Sequence, residues 1–196
     1  MDRDLYRWIN RLADRTTWAH GMVSFYAHYG TVLFAALLLS AYFHGRRHDD
    51  RTTVAASLWA GGAALVALGI GQIIGQAVNR ARPYAAMSDV HTLVARSSDF
   101  SFPSDHATVA GAVAIGLLLT HRRIGISATI AAVAMAITRV YVGAHYPFDV
   151  IAGLALGGTV AAIGRRLIVP ILAKVLDRLA STSLRAFITA TRTTSA

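Results

Sequence analysis

Arg139, His145 and Asp149 fall within one short stretch, TRVYVGAHYPFD. An arginine, a histidine and a carboxylate so spaced are the parts needed to hold a phosphoryl group and attack it. A neutral imidazole is a nitrogen nucleophile at physiological pH. A carboxylate accepting from its other nitrogen would fix the tautomer and raise its reactivity. Arginine is always charged and offers a planar fork of donors that matches phosphate oxygens. Two more segments supply partners: NRARPY carries Arg80 and Arg82, and SFPSDHA carries Ser104 and His106. Pro103 and Ser104 ahead of an apolar run mark a helix start, where free amides and the helix dipole both favour an anion. His106 would lie in that first turn, close to any phosphate held there.

Each of these has a plain structural alternative. Ser104 would serve as an N-cap and His106 as an interfacial histidine. Asp149 falls just after Pro147, so it would cap a helix. Arginines at helix ends commonly reach for lipid headgroups. His28, near the end of an apolar segment, would either line the site or sit satisfied at the interface. The chemical reading gains because three of the four prolines lie in these segments, all at the ends of apolar stretches.

The elements that must position them are membrane spans. The chain has 196 residues, is 55% hydrophobic and only 15% charged. A bilayer core of about 30 Å demands roughly 20 apolar residues per helix. We expect an all-α integral membrane bundle of about five transmembrane helices with amphipathic surface helices at both ends; a soluble helical core is the lesser alternative. Residues 1–20 place Leu5, Trp8, Ile9 and Leu12 at helical spacing among arginines, an interfacial helix. The transmembrane domain covers 21–164, with spans over 22–43, 53–79, 104–120, 124–142 and 147–164 and a polar connection at 80–103. Residues 165–196 read as an amphipathic cytoplasmic tail with a frayed Thr/Ser-rich end. The first residues lack the apolar run and small-residue site of a cleaved signal peptide.

With no cysteine, disulfides, thiolate metal sites and cysteine nucleophiles are excluded. No carboxylate-rich cluster suggests a divalent metal, and we expect neither metal nor cofactor. The net charge of +9 sits mostly beside apolar segments, which points to anionic headgroups rather than nucleic acid. Arg46, Arg47 and Arg51, then Arg122 and Arg123, then Arg165 and Arg166 fall on one side by alternation. The positive-inside rule makes that side cytoplasmic. All three chemical segments then face outward, and so do the four arginines of the first helix, against the rule.

The three segments resemble the signature of the type 2 phosphatidic acid phosphatase superfamily. ARP at 81–83 matches the end of its first motif, PSDH at 103–106 its second, usually PSGH, and Arg139, His145 and Asp149 its third. The PSDH variant, the short body and the INRLADRTTW stretch are similar to the bacterial undecaprenyl-diphosphate phosphatase branch linked to bacitracin resistance. The resemblance implies that His145 is the nucleophile, forming a phosphohistidine, and that Asp149 orients it. His106 would protonate the leaving oxygen and then activate water. Arg82, Arg139 and Ser104 would hold the phosphoryl oxygens, without a metal. It implies hydrolysis of a polyprenyl diphosphate to the monophosphate on the outer face of the bacterial plasma membrane, recycling the carrier of cell-wall synthesis. Phosphatidylglycerophosphate, phosphatidic acid or a polyprenyl-phosphoribose phosphate are alternative substrates. Two departures stand out: Gly75 occupies the position of the family's first-motif lysine, and Asp105 replaces a glycine. Arg80 is the candidate to replace that lysine as a phosphate ligand. A transporter with a midplane anion site is the competing class, disfavoured because the ionisable residues sit at span ends. A non-catalytic scaffold is another, should Gly75 and Asp105 have disabled the site.

Overall fold

The computed structural model describes residues 1–182 and 188–189. Their regular structure is helical: α1 (Asp2–Arg15), α2 (His20–Arg47), α3 (Arg51–Val78), α4 (Pro83–Ala86), α5 (Asp105–Leu118), α6 (Arg122–Tyr141), α7 (Pro147–Leu167) and α8 (Val169–Leu179), with a 3-10 turn at Thr17–Ala19. Four segments containing α2, α3, α6 and α7 are long and apolar enough to cross a bilayer. The span expected over 104–120 is different. Its helix, α5, has 14 residues, about 21 Å at 1.5 Å per residue, short of a bilayer core.

That short helix is the centre of the bundle. It packs on α7, α6, α3 and α2 and buries Ala107, Ala110, Ala112, Val113 and Leu117. Large apolar side chains point the other way: Leu65, Ile73, Ile130, Ile137, Ile151 and Ile163 are exposed on the surrounding helices. Small residues inside and large ones outside suit a bundle in lipid, where close backbone contact rather than hydrophobic burial drives association. The contact of α5 with α7 is the tightest case. A Cβ on Gly111 would lie 2.3 Å from the Leu154 carbonyl oxygen, and one on Gly157 would lie 2.0 Å from that of Thr108.

The ends of the elements separate chemistry from anchoring. The C-termini of α3 and α6, the N-termini of α5 and α7, and the 79–104 connection meet at one end. Asn79, left-handed at φ 49°, closes α3 with its N–H on the Gly75 carbonyl. The connection is then pinned by Ser101 N to Arg80 O at 2.8 Å and Ser104 N to Asp149 O at 3.0 Å. Helix α1 lies across the same end. It buries Tyr6, Asn10 and Ala13 against the bundle and leaves Leu5, Trp8 and Leu12 exposed, so three residues of its expected apolar stripe face away from the protein while Ile9 packs against it.

At the opposite end α7 continues through Arg165 and Arg166 to Leu167, past the expected boundary at 164. Helix α8 then folds back, with Val169 buried against Ala55 and Ala56 of α3. The expected Thr/Ser-rich frayed end lies outside the described residues.

Candidate active site

His145 sits in the turn between α6 and α7. It is only 1% exposed, so it is a buried side chain rather than the outer-surface one that a turn position suggests. Its Nδ1 lies 2.8 Å from the Ser101 carbonyl oxygen. A carbonyl only accepts, so Nδ1 carries the proton and Nε2 presents its lone pair. Arg82 Nη1 lies 3.1 Å from that Nε2 and donates to it, and also donates to the Ala144 carbonyl. Burial, then the charges of Arg82 and Arg139, hold the pKa of His145 well below the ordinary imidazole value. The ring is therefore neutral, with its free nitrogen facing an arginine.

The remaining donors of Arg82 are organised by Asp99. Nε and Nη2 make a two-pronged pair with its carboxylate at 2.9 and 3.0 Å. Burial pushes the Asp99 carboxyl up, but hydrogen bonds from Ser97 and Arg82 outweigh it and leave it below its usual value. Arg139, 8% exposed, donates from Nη1 to the Ala27 carbonyl at 3.2 Å. Among the described residues its Nε is buried without a hydrogen-bond partner, and so is the Oγ of fully buried Ser104. Ser104 occupies the N-cap position of α5, yet its side chain caps nothing. Unpaired buried polar atoms are costly. An anion at this helix N-terminus would satisfy them.

His106, in the first turn of α5, is half-buried, within electrostatic reach of Arg139, Arg82 and His28. The structure thus gathers Arg82, Ser104, His106, Arg139 and His145 from three separate segments.

Asp149 and Arg80 differ from expectation. The nearest Asp149 oxygen is 3.9 Å from His145 Nδ1, too far for a hydrogen bond. Asp149 accepts instead from Ser101 Oγ at 2.5 Å, from Tyr146 N at 2.9 Å and from Arg80 Nη1 at 2.7 Å. It caps α7 and grips Ser101, whose carbonyl orients the histidine. The expected carboxylate–histidine bond is thus replaced by a relay through Ser101. The guanidinium of Arg80 bridges Asp149 and Asp2 and lies 3.9 Å over the Tyr146 ring. Two carboxylates and a ring engage the group expected to replace the missing lysine. At Gly75 itself a Cβ would lie 3.0 Å from the Phe102 carbonyl, so the connection covers the position. The carboxylate of Asp105 accepts from Gln72 Nε2, 3.2 Å from each oxygen.

Sequence reasoning missed Asp2, Gln72, Asp99 and Ser101. Ser101, three residues before Ser104, had a faint signal as part of SFPSDHA; Asp2 had none. Among the described residues no group of three or more His, Cys, Asp or Glu could hold a metal ion. The local field is cationic and fits an anion.

Comparison with known proteins identifies a family. The PAP2 superfamily profile matches residues 56–171, which contain all seven expected site residues. Undecaprenyl-diphosphatase BcrC of Bacillus subtilis is 31% identical over 156 residues, covering 80% of this chain and 78% of that protein. Decaprenylphosphoryl-5-phosphoribose phosphatase of Mycobacterium tuberculosis is 38% identical over 146 residues, covering 74% and 76%. The crystal structure of Aquifex aeolicus LpxE shares the fold with a TM-score of 0.63 at 23% identity, covering 84% of this chain and 94% of that one.

Proposed function

The chain belongs to the PAP2 superfamily, and on that footing we propose that it is a membrane phosphatase hydrolysing a polyprenyl diphosphate, of the undecaprenyl type, to the monophosphate and inorganic phosphate. The observation that carries the chemistry is the pair of contacts on His145: Nδ1 bound to the Ser101 carbonyl, and an Nε2 lone pair that faces Arg82 Nη1, a donor an incoming phosphoryl group would displace. The Nε2 lone pair attacks the terminal phosphorus, and the bond from phosphorus to the bridging oxygen breaks. His106 gives that oxygen its proton, so the polyprenyl monophosphate departs and a phosphohistidine remains. His106, now neutral, takes a proton from water. The resulting hydroxide attacks the phosphohistidine and returns Nε2 with inorganic phosphate. Arg82, Arg139 and Ser104 Oγ hold the non-bridging oxygens, donors fixed before charge develops on them. In this reading the catalytic end faces outward across the plasma membrane, and the product re-enters the lipid-carrier cycle of cell-wall synthesis.

A second reading differs only in the lipid. The mycobacterial relative named for decaprenylphosphoryl-5-phosphoribose is 38% identical, and a monophosphate ester would suit the same five side chains. The test is phosphate release by the purified protein in detergent with EDTA present. It compares undecaprenyl diphosphate, a polyprenyl-phosphoribose phosphate, phosphatidylglycerophosphate and phosphatidic acid. Fastest turnover of the diphosphate supports the first reading; preference for a monoester moves the substrate and keeps the chemistry. Release from none overturns the function.

A further inference from the structure

Helix α1 grips the turn that carries His145 at three heights. At the first, Asp2 Oδ2 lies 2.5 Å from Arg80 Nη2, and Asp2 Oδ1 accepts from Phe148 N at 3.1 Å. That amide belongs to the first turn of α7, so Asp2 caps α7 from another helix. At the second, Tyr6 is fully buried with its ring 5.4 Å from that of Tyr146. At the third, Asn10 Nδ2 donates to the carbonyls of His91 and Tyr141, and Asn10 Oδ1 accepts from the His91 amide. These residues are four apart, one stripe of a helix. Their partners in the chemical end, Tyr141, Tyr146 and Phe148, flank His145 on both sides.

The lowest contact reaches furthest. From Asp2 the chain of bonds runs to Arg80, then Asp149, then Ser101 Oγ, and the Ser101 carbonyl holds Nδ1 of His145. Asp149 is 0% exposed. A buried carboxylate without its cation would be a large penalty, so Arg80 is required to keep Asp149 ionised and in place. Arg80, in turn, is oriented by Asp2 and by the Tyr146 ring. None of α1 lies within residues 56–171, the region that the superfamily profile matches.

We propose that Asp2 and Arg80 are positioning residues for the phosphoryl-transfer step: α1, seated in the membrane interface by Leu5, Trp8 and Leu12, acts as a strut that holds the Asp149–Ser101–His145 relay in register. The inference rests on the phosphatase reading for its kinetic readout, but the strut itself is physical and is measurable without a substrate. It assigns Arg80 to the histidine rather than to the substrate phosphate. It also makes the first helix part of the catalytic apparatus.

The experiment uses the full chain in detergent, comparing wild type with Asp2→Asn, Asp2→Glu, Arg80→Gln and the Asp2→Asn/Arg80→Gln double variant. Turnover of undecaprenyl diphosphate, thermal melting and hydrogen exchange across 144–150 are measured on each. Loss of transition-state geometry lowers kcat with little change in KM. We expect kcat to fall about tenfold in Asp2→Asn and further in Arg80→Gln, with KM within about twofold. Asp2→Glu restores most of the rate. The double variant is no slower than Arg80→Gln alone, because both act through one chain. Exchange at the Tyr146 amide, which Asp149 holds, rises in Asp2→Asn and in Arg80→Gln. A raised KM at unchanged kcat for Arg80→Gln would make it a substrate ligand and overturn the proposal. Unchanged kcat in Asp2→Asn, or a rate loss matched by loss of folded protein, would also overturn it. Should wild type hydrolyse none of the lipids, the phosphatase reading fails separately. The exchange data then decide the strut: faster exchange upholds it, and unchanged exchange sinks it.

Discussion

Replacing Gly157 by alanine tests how closely the two helices bearing the chemistry must approach. The added Cβ would lie 2.0 Å from the Thr108 carbonyl oxygen and 2.7 Å from the Ala112 amide nitrogen, whereas ordinary contact begins at 3.4 Å. Both obstacles are backbone atoms of α5, so no side chain can turn aside. The helices must part by roughly 1.4 Å, against an interior that resists deformation. Thr108 donates through both its N–H and Oγ1 to the Ser104 carbonyl, at 2.9 Å each, and Gly157 is two turns along α7 from Asp149. The displacement is therefore delivered between Ser104 and His106 on one side and His145 on the other. A misplacement of about 1 Å in a reacting constellation costs on the order of 100-fold in rate, and overpacking costs about 1–3 kcal/mol of stability. The assay is kcat for lipid-phosphate hydrolysis on protein shown to be folded by gel filtration and melting. Gly69→Ala is the control, since a Cβ there meets nothing within 4 Å. Gly157→Ala should lose about 100-fold in kcat and Gly69→Ala nothing. A folded Gly157→Ala enzyme with wild-type kcat would refute the claim that α5–α7 spacing sets the catalytic geometry.

Ser104→Ala removes a hydroxyl that has no partner among the described residues, so melting should hold or rise while kcat/KM falls roughly 10- to 100-fold through the lost phosphate contact. Lower melting with full activity would make that hydroxyl structural. The acid limb of kcat/KM should lie below pH 6.5, because burial and the two arginines lower the His145 pKa from that ordinary value. A nucleophile with a depressed pKa stays unprotonated as the pH falls through 6.5, so activity persists there. A pH–rate series showing the limb at or above 6.5 would contradict the neutral, buried imidazole.

Much of this was legible from local pattern. Long uncharged runs announce spans because a bilayer sets their length. Proline followed by serine or by a cap-forming aspartate marks a helix start, which puts Ser104 at an N-cap and His106 and Asp149 in first turns. Composition marks the fifth apolar helix of the bundle but not its exact length: α5 has 14 residues, and composition cannot tell lipid contact from the protein contact that α5 makes on several helices. The orientation of His145 was misassigned for a similar cause. A carboxylate four residues away is a natural partner on a helix, but Pro147 starts α7 between them, and the bond falls to a backbone carbonyl, which carries no sequence signature. Arg80 looked free for phosphate because its partner Asp2 lies 78 positions away. Asp99, in a serine-flanked polar connection, gave no hint that it organises Arg82.

The central claim is that Nε2 of His145 takes the phosphoryl group. It is tested most directly by mixing the wild-type enzyme in excess with undecaprenyl diphosphate labelled in its terminal phosphate and quenching in alkali at a series of single-turnover times. The account predicts an acid-labile, alkali-stable label on His145, attached at Nε2 because Nδ1 is held by the Ser101 carbonyl, and absent in His145→Asn. Label on Nδ1, or a single-turnover burst of inorganic phosphate with no labelled protein at any time, would contradict it.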